Sequence, residues 1–536
     1  MKISALKFSW IICLCLFAVA SFMEDHAYAQ KEGGILRYPL TGEPTPIDTQ
    51  HHYGDKNCDI VCQHVYENLV WIDKQFNIQP CLATSWKMAP DFKSCVFTLR
   101  RGVKFHDGTP FNAKAVEANF NRLSKEQLKG WRFVQVWFKS LEVLDDYTLR
   151  INLKEAYTPF LTEMAQLYTR MISPGAIQKY GMELGKNPSG TGPWKFSRWD
   201  PGEKLTLSRN LDYWGGKPHL DEVVFKFTAD QTTRMMGFES QSFDILDQPQ
   251  YMDIERLEKT GKYVSHAQPS SELFHFVFNT LLSPFDQKEV RHAIKHAINR
   301  PLIVKALLGE NVTVAYGFGP VLLPETLKKE EVFRYDPEKA KEILRNLGWR
   351  PGPDGILVKD GKRFEFTLMT PYGRYPMDKQ ISEAVQAALK AVGIEAKMDV
   401  VEAAAFINWI QGEVEQRKGT KVGMVARTRP LGVTLEYAFV QHYHSNYWPK
   451  KGFNASAFSN KEFDQCLEKA RAITDDRERA KVYARAQEIL FEELPVLPVY
   501  YYRSFMFNWP YVRDIDLFPP AYTPSPFVSH RTWMDK

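Results

Sequence analysis

The stretch KFHDGTPFNAKAVEANF, residues 104–120, constrains the fold of this chain most. Its Asp-Gly pair predicts a tight turn, because glycine adopts positive φ without a steric penalty. Asn112 follows the turn and is placed to cap a helix by accepting backbone N–H groups. In that helix Val116, Phe120 and Leu123 recur at a spacing that puts them on one buried face. The stretch therefore predicts a turn and a capped amphipathic helix within an α/β protein.

The first 29 residues predict a secretory leader that is cleaved after Ala29. Lys2 and Lys7 precede an apolar run at 10–22, which is short for a transmembrane helix. The sequence Ala-Tyr-Ala at 27–29 offers a cleavage site. We therefore expect export through the Sec pathway to the periplasm or the cell exterior, with an uncleaved N-terminal anchor as the alternative.

The length and charge of the chain limit its class. Removing 29 of the 536 residues leaves 507, more than one compact core accommodates, so two or three lobes are expected. The formal net charge of +5 argues against a nucleic-acid-binding surface. Aromatic residues make up 13% of the chain, enough to line a pocket as well as a core.

Cysteine usage agrees with an exported protein. Five cysteines follow the leader: Cys58, Cys62, Cys81, Cys95 and Cys466. Because the number is odd, at least one thiol is unpaired in a monomer. An oxidising compartment favours one disulfide among the first four, although Cys58 and Cys62 are poorly spaced on a helix to bond each other. No second pair completes a zinc-finger spacing.

The chain alternates strand patterns with amphipathic helices. The clearest predicted strands are 34–38, 95–99, 147–153, 220–227 and 274–278. The clearest predicted helices are 289–298, 337–347, 381–392 and 477–493. Since the pattern becomes more helical after residue 278, the segments 274–279 and 496–502 are predicted to carry the chain between two lobes. Two such crossings suit a clamshell that closes on a ligand by hinge motion.

Short motifs in a fixed order extend from about residue 34 to about residue 520. They lie at 80–86, 97–105, 190–194 (GTGPW), 210–215, 276–279, 290–294, 297–300, 336–340 and 347–349. Together with the stretch at 104–120, they resemble the family 5 extracellular solute-binding proteins. Members of that family are the capture components of ABC importers for peptides, nickel chelates and similar solutes.

The resemblance implies an α/β, two-lobed periplasmic binding protein of the clamshell, cluster C type, with an extra subdomain in the first lobe. The implied domains are lobe I at 30–276 with a subdomain at about 76–210, lobe II at 277–500, and a return to lobe I at 501–536. It implies no catalysis, no cofactor apart from a nickel or metal chelate as ligand, a membrane permease as partner, and a monomer.

Local stretches are most similar to the nickel-chelate branch of the family, with the dipeptide branch next. They are found at 156–163, at 232–239, and at 422–424 with 427–428. The expected ligand is therefore a small peptide or a metal chelate, with the choice left open.

An early loop carries His51, His52 and Tyr53. By resemblance to the nickel branch, which places an aromatic residue here against the ligand, Tyr53 is a candidate ligand contact. The two imidazoles are candidate contacts to a metal chelate or a peptide group. An exposed polar loop is the alternative.

Trp131 matches a pocket tryptophan of the nickel branch by its spacing. The branch also has an arginine in the neighbouring turn, where this chain has leucine and lysine. Lys129 or Arg132 can supply the missing cation, without the same guanidinium geometry. A tryptophan that only packs is the alternative.

Arg427 and Arg429 occupy the second-lobe segment that carries specificity in the family. Peptide binders have an aspartate there and the nickel branch has tryptophan and tyrosine, whereas the nearest acid in this chain is Glu436. On a strand, the two arginines would point to the same side. One of them could then clamp a ligand carboxylate with two parallel hydrogen bonds. Structural ion pairs are the alternative.

His442 and His444 alternate with one tyrosine, so an extended segment would present both imidazoles on one side. Neutral imidazole is a suitable nickel ligand. The nickel branch has its metal-contacting histidine a few residues later, where this chain has Tyr447 and Trp448. A solvated pair of loop histidines is the alternative.

Two other classes of function compete with a solute receptor. A secreted hydrolase or metalloenzyme would be expected to carry a G-x-S-x-G or H-E-x-x-H motif, and the chain has neither. A periplasmic chaperone or haem-binding protein is compatible with the aromatic content. The leading hypothesis is a receptor that delivers its solute to an ABC permease.

Overall fold

The computed structural model describes residues 30–51, 55–518 and 525–536. The predicted leader at 1–29 and the candidate residues His52 and Tyr53 lie outside these ranges. Among the helices within them, none combines the length and the apolar character that spanning a membrane needs.

The strands of the described residues are numbered in chain order. They are β1 Ile35–Leu40, β2 Val70–Ile72, β3 Ile78–Pro80, β4 Ala83–Met88, β5 Ser94–Leu99, β6 Phe138–Asp145, β7 Thr148–Leu153, β8 Trp194–Asp200, β9 Lys204–Arg209, β10 Glu222–Phe227, β11 Ile245–Asp247, β12 Val264–Phe278, β13 Val312–Val314, β14 Arg350–Pro351, β15 Leu357–Lys359, β16 Lys362–Arg363, β17 Glu365–Pro371, β18 Glu395–Val401, β19 Val422–Pro430, β20 Val496–Asn508, β21 Val512–Arg513, β22 Asp516–Phe518, β23 Ser525–Phe527 and β24 Trp533–Met534.

The α-helices are numbered in the same way. They are α1 Lys56–Val65, α2 Ala113–Lys125, α3 Trp131–Val134, α4 Phe160–Glu163, α5 Pro174–Tyr180, α6 Gln231–Glu239, α7 Tyr251–Lys259, α8 Lys288–Ala297, α9 Arg300–Leu308, α10 Pro337–Asn346, α11 Asp378–Lys390, α12 Ala403–Gln411, α13 Leu435–Tyr443, α14 Lys461–Ala472 and α15 Asp476–Glu493. Every strand and helix predicted above overlaps one of these elements.

Three large hydrophobic cores organise the molecule. One packs around a sheet ordered β1-β10-β9-β8, and it includes residues near the C-terminus such as Met506 and Val528. A second lies on the antiparallel sheet β4-β5-β7-β6 and α2. The third and largest fills the region from Leu273 to Tyr501.

The longest strands, β12 and β20, run beside each other from the first core to the third. Their antiparallel register extends from Val264 opposite Asn508 to Val277 opposite Val496. At one end β20 pairs with β11, and at the other end β12 pairs with β19. These strands contain the two segments that the sequence predicts as crossings, while the lobe boundaries at 276 and 500 stay predictions. Because β19 pairs with β12, the candidate ligand residues Arg427 and Arg429 on β19 lie beside these two long strands.

The stretch at 104–120 folds as its sequence predicts. Gly108 has a φ of 87°, in the region that favours glycine, and its N–H donates to the Phe105 carbonyl at 2.9 Å. The Asn112 side chain accepts from the Ala115 N–H at 3.0 Å and caps α2. Val116 and Phe120 of that helix are buried in the second core.

His106 joins this turn to the GTGPW motif. Its Nε2–H donates to the Gly192 carbonyl at 2.9 Å, and its Nδ1 accepts from the Gly190 N–H at 3.3 Å. Burial lowers the pKa of His106 to about 4, so the ring is neutral at physiological pH. His106 therefore has a structural role, which is why two motifs far apart in the sequence occur together.

Glu67 links the GTGPW motif to the motif at 210–215. Its carboxylate accepts from the Thr191 hydroxyl at 2.7 Å, the Tyr213 hydroxyl at 2.8 Å and the Trp214 indole N–H at 2.8 Å. Burial raises the pKa of Glu67. Gly190 completes the junction, because a Cβ there would lie 2.1 Å from the Val65 carbonyl oxygen. The motifs of the first lobe are thus largely a scaffold.

The expectation of a disulfide among the first four cysteines is wrong for the described molecule. Cys58, Cys62, Cys81, Cys95 and Cys466 are free thiols. Cys58 and Cys62 come closest, with their sulfur atoms 3.6 Å apart, well beyond the S–S bond length of about 2 Å. Cys58 and Cys62 lie one turn apart on α1, whereas Cys81 and Cys95 are enclosed in the second core.

We predict that Glu67→Gln lowers the free energy of unfolding by about 2 kcal/mol, because an amide cannot accept all three hydrogen bonds and one donor is left unpaired in the core. Urea unfolding followed by circular dichroism measures the change. Glu155→Gln, at an exposed position of the same lobe, is the control and should have no effect. Equal stability of the two variants would show that the junction does not depend on the carboxylate.

Candidate ligand-binding site

Arg427 and Arg429 lie on the same face of β19, as the two-residue spacing predicts. Their side chains are buried, with relative exposures of 8% and 2%. The Arg427 Nη1–H donates to the Phe453 carbonyl at 3.4 Å. Arg429 donates to the Tyr443 hydroxyl and lies over the Tyr443 ring, with its Cζ 4.3 Å from the ring centroid.

Neither arginine is neutralised by a carboxylate of the described residues. Their partners are a carbonyl and a phenol, and the Arg429 Nε–H is buried with no hydrogen-bond acceptor among those residues. Burial lowers the pKa of Arg427 to about 10 and also lowers that of Arg429. Arg427 is therefore charged at neutral pH, and arginine side chains in general are not deprotonated in proteins. The alternative of structural ion pairs is therefore not what the described residues form.

Two buried histidines border the arginine pair. His275 on β12 is directly opposite Arg427 on β19, and its Nδ1–H donates to the Leu273 carbonyl at 3.1 Å. His442 donates from Nε2 to the Pro430 carbonyl at 2.9 Å, which leaves its buried Nδ1 as an acceptor without a partner among the described residues. Burial, and then the nearby arginines, hold the pKa of each histidine well below its usual value. The cluster therefore combines two cations with two neutral imidazoles.

Phe453 covers this cluster, which we call the arginine cluster: His275, Arg427, Arg429 and His442. The Phe453 ring stacks on His442 with a centroid distance of 5.5 Å. The guanidinium of Arg132, from the first lobe, also lies over the Phe453 ring, 5.2 Å from its centroid. Residues of both lobes thus meet at Phe453.

His444 does not belong to the arginine cluster. It caps the C-terminus of α13, and its ring lies between Asp464 at 3.6 Å and Glu468 at 3.7 Å. The expectation that His442 and His444 point to the same side is wrong, because the segment is a helix end and not an extended strand. In the described residues, no group of three or more histidines, cysteines or acids is placed to hold a metal ion.

The first-lobe candidates lie near one another. The Gly130 N–H, at the start of the turn that carries Trp131, donates to the Gln50 carbonyl at 3.0 Å, next to His51. Trp131 is half-buried and packs edge-on against Phe138 with a centroid distance of 6.0 Å. His52 and Tyr53 fall outside the described residues, so their role stays a prediction.

Sequence reasoning missed His275 and Phe453. His275 lies in an apolar strand, where a histidine usually has a structural role, and only the register with β19 places it beside Arg427. Phe453 follows a glycine in a turn and has no motif. A signal for His275 did exist, because it is the one polar residue in the strand segment Leu273–Phe278.

Charged residues of the two lobes also meet at a second place. Glu163 at the end of α4 is buried and accepts from the Tyr168 hydroxyl. Across the lobe boundary Glu436 forms a buried ion pair with Arg471 and accepts from the Tyr483 hydroxyl at 3.1 Å. The Thr158 N–H, near Glu163, donates to the Arg471 carbonyl at 3.2 Å.

An open cavity of about 540 Å³, which we call the outer cavity, lies between the lobes and is lined by residues of both. Its first-lobe wall is formed by Arg132, Phe133, Gln135 and Val136. The second-lobe wall consists of Gln441, His444, Asn446, Tyr447, Lys450, Lys451, Glu468 and Arg471. Four of these lining residues are permanent cations and one is an acid.

Comparison with known proteins supports the two-lobed α/β fold. The protein NikA from Brucella suis, solved in complex with Fe(III)-EDTA, is similar with a TM-score of 0.80 and 26% identity, covering 92% of this chain and 100% of that chain. The periplasmic binding protein DppA from Helicobacter pylori, in complex with the peptide STSA, has a TM-score of 0.78 and 26% identity, covering 94% and 99%.

Sequence comparison gives the family. The glutathione-binding protein GsiB of Escherichia coli O1:K1 / APEC is 30% identical over 492 residues, which are 91% of this chain and 92% of that protein. A model of the bacterial extracellular solute-binding proteins, family 5 Middle, matches residues 77–450. The chain belongs to the family 5 bacterial extracellular solute-binding proteins.

Proposed function

We propose that this protein is the periplasmic binding component of an ABC importer for a small acidic peptide of the glutathione type. The observation that carries the proposal is the burial of Arg427 and Arg429 without a carboxylate partner among the described residues. A buried cation that lacks a counter-charge costs several kcal/mol of stability. A ligand carboxylate between the lobes would remove that cost through charge-assisted hydrogen bonds.

The two neutral histidines favour a peptide over a simple acid. The free Nδ1 of His442 is a buried acceptor, and a peptide N–H or ammonium group can donate to it. The same arginines disfavour a bare metal dication, because like charges in a buried site repel strongly. We favour the peptide class over the nickel-chelate class that the local sequence likeness suggests, because the buried Nδ1 acceptor of His442 requires an N–H donor, which a peptide supplies.

The remaining parts of the proposal follow from the family and the sequence. Related proteins bind solutes and the curated relative carries glutathione in its name. We propose a protein without catalytic activity or a resident cofactor, acting as a monomer that delivers its ligand to a membrane permease. We also propose export by the leader at 1–29, with cleavage after Ala29.

Calorimetry with reduced glutathione, together with small-angle X-ray scattering, tests the proposal. We expect one molecule bound per chain and a smaller radius of gyration in the complex, as lobe closure requires. Absence of binding would contradict the ligand class. Peptide-bond cleavage would favour the hydrolase hypothesis, and a Soret band on titration with haem would favour the haem-binding one.

Glu163 of the first lobe lies near Glu436 and Arg471 of the second lobe, so the protonation of its carboxyl group depends on whether the lobes are closed. Burial, reinforced by the nearby Glu436 charge and opposed by Tyr168 and Arg471, raises the pKa of Glu163 to about 7. If opening exposes Glu163 to water, its pKa returns toward the ordinary value of 4.5. The closed form then binds a proton that the open form releases, so closing is favoured at low pH.

We predict that Arg429→Met weakens glutathione binding by about 1.5–3 kcal/mol, the size of a hydrogen bond to a charged group. The same change should raise the melting temperature of the ligand-free protein, because an unneutralised charge leaves the core. Calorimetry and thermal unfolding measure the two effects.

Arg334→Ala, at an exposed position of the second lobe, is the control and should change neither quantity. A variant Arg429→Met that loses both affinity and stability would indicate a structural arginine and not a ligand contact.

We predict that glutathione affinity falls as the pH rises from about 4.5 to about 7, by at most about tenfold per pH unit, and is constant above that range. Glu163→Gln should remove this dependence and bind more tightly than the unchanged protein at about pH 8, because the amide stays neutral. Calorimetry across this range is the measurement, with Glu155→Gln as the control. A pH dependence that survives in Glu163→Gln would assign it to another group.

A further inference from the structure

Two of the four cations that line the outer cavity have no acidic partner among the described residues. Lys450 is paired with Glu413, and Arg471 is paired with Glu436. Arg132 and Lys451 have no carboxylate within salt-bridge distance among the described residues. One of the two belongs to the first lobe and the other to the second, and both line the same cavity.

The outer cavity is next to the arginine cluster. Phe453 lies between them. The guanidinium of Arg132, which lines the outer cavity, lies over the Phe453 ring, and the backbone carbonyl of Phe453 accepts a hydrogen bond from Arg427. The distance from Arg132 Cζ to the ring centroid is 5.2 Å, and that from Arg427 Nη1 to the carbonyl oxygen is 3.4 Å. Phe453 thus contacts one residue of the outer cavity, Arg132, and one residue of the arginine cluster, Arg427.

The walls of the outer cavity also suit an extended ligand. Gln135 from the first lobe, and Gln441 and Asn446 from the second, contribute amides that can donate to and accept from peptide groups. Phe133 and Val136 add apolar surface on the first-lobe side. This mixture of a few polar groups with apolar walls is typical of small-molecule sites.

We propose that the outer cavity is a second subsite for the same ligand and takes its second acidic group, between Arg132 and Lys451. The ligand class is thereby narrowed to solutes with two acidic groups, one at the arginine cluster and one at the outer cavity. The inference rests on the proposed function. An acid held between cations of the two lobes stabilises the closed form, since opening would separate them.

The test uses reduced glutathione, which has two carboxylates, and the two derivatives in which one or the other carboxylate is converted to a neutral amide. Calorimetry measures the affinity of each for the unchanged protein, Arg429→Met, Lys451→Gln and Lys461→Gln. Lys461→Gln is the control, because it removes the same charge from an exposed position of the second lobe that does not line the outer cavity.

We expect Lys451→Gln to weaken glutathione binding by up to about fivefold, as for a partly exposed charge pair, and Lys461→Gln to have no effect. One amide derivative should bind with no sensitivity to Lys451→Gln but keep its sensitivity to Arg429→Met. The other derivative should show the reverse. Arg132→Gln should reproduce the pattern of Lys451→Gln from the opposite wall.

The contrary outcomes are distinct. Equal effects of Lys461→Gln and Lys451→Gln, or equal sensitivity of both derivatives to Lys451→Gln, would overturn the second subsite and leave the proposed function intact. Binding of inorganic phosphate alone that depends on Lys451 would show a site for a free anion and also overturn it. Failure of the unchanged protein to bind any of the three compounds would overturn the proposed function, and the subsite with it.

Discussion

The burial of two positive charges without a partner acid is the constraint on which the account of this protein depends. Arg427 and Arg429 are held inside the molecule by a strand whose neighbours fix their direction. A guanidinium removed from water loses its hydration, and a carbonyl or a phenol replaces only part of it. Tyr443, under Arg429, offers its ring face as a weak substitute. The two buried guanidinium groups therefore lack an anionic partner among the described residues, and an anion bound beside them would be stabilised.

Strand pairing places the two unneutralised arginines beside the connection between the lobes. The strand that carries the arginines is paired with β12, which in turn is paired with β20, and these two are the long strands that run between the cores. A ligand bound at the arginine cluster therefore lies beside the connection between the lobes. Arg132 approaches the cluster from the first lobe through Phe453, so that the charge arrangement is complete only when the lobes are together.

How much of this could be read from the sequence depends on the distance over which each feature is determined. The cap at Asn112 and the shared face of Arg427 and Arg429 are local, and both were predictable from spacing alone. His275 lies in the site because the register of β12 and β19 places it opposite Arg427, and spacing within the sequence does not determine that register. For His442 and His444 the alternating spacing predicts an extended segment, whereas the structure has a helix that ends at this point, so the two side chains do not share a side. The family motifs were readable, yet the junction at Glu67 indicates that they describe the scaffold and not the ligand.

A crystal structure of the protein with reduced glutathione bound tests the central claim most directly. The account predicts a ligand carboxylate within hydrogen-bond distance of the Arg429 Nε–H, which has no acceptor among the described residues of the ligand-free molecule. It also predicts that the lobes enclose the ligand at the end of the β12–β19 pair. A ligand whose acidic groups all lie away from Arg427 and Arg429 would contradict the account.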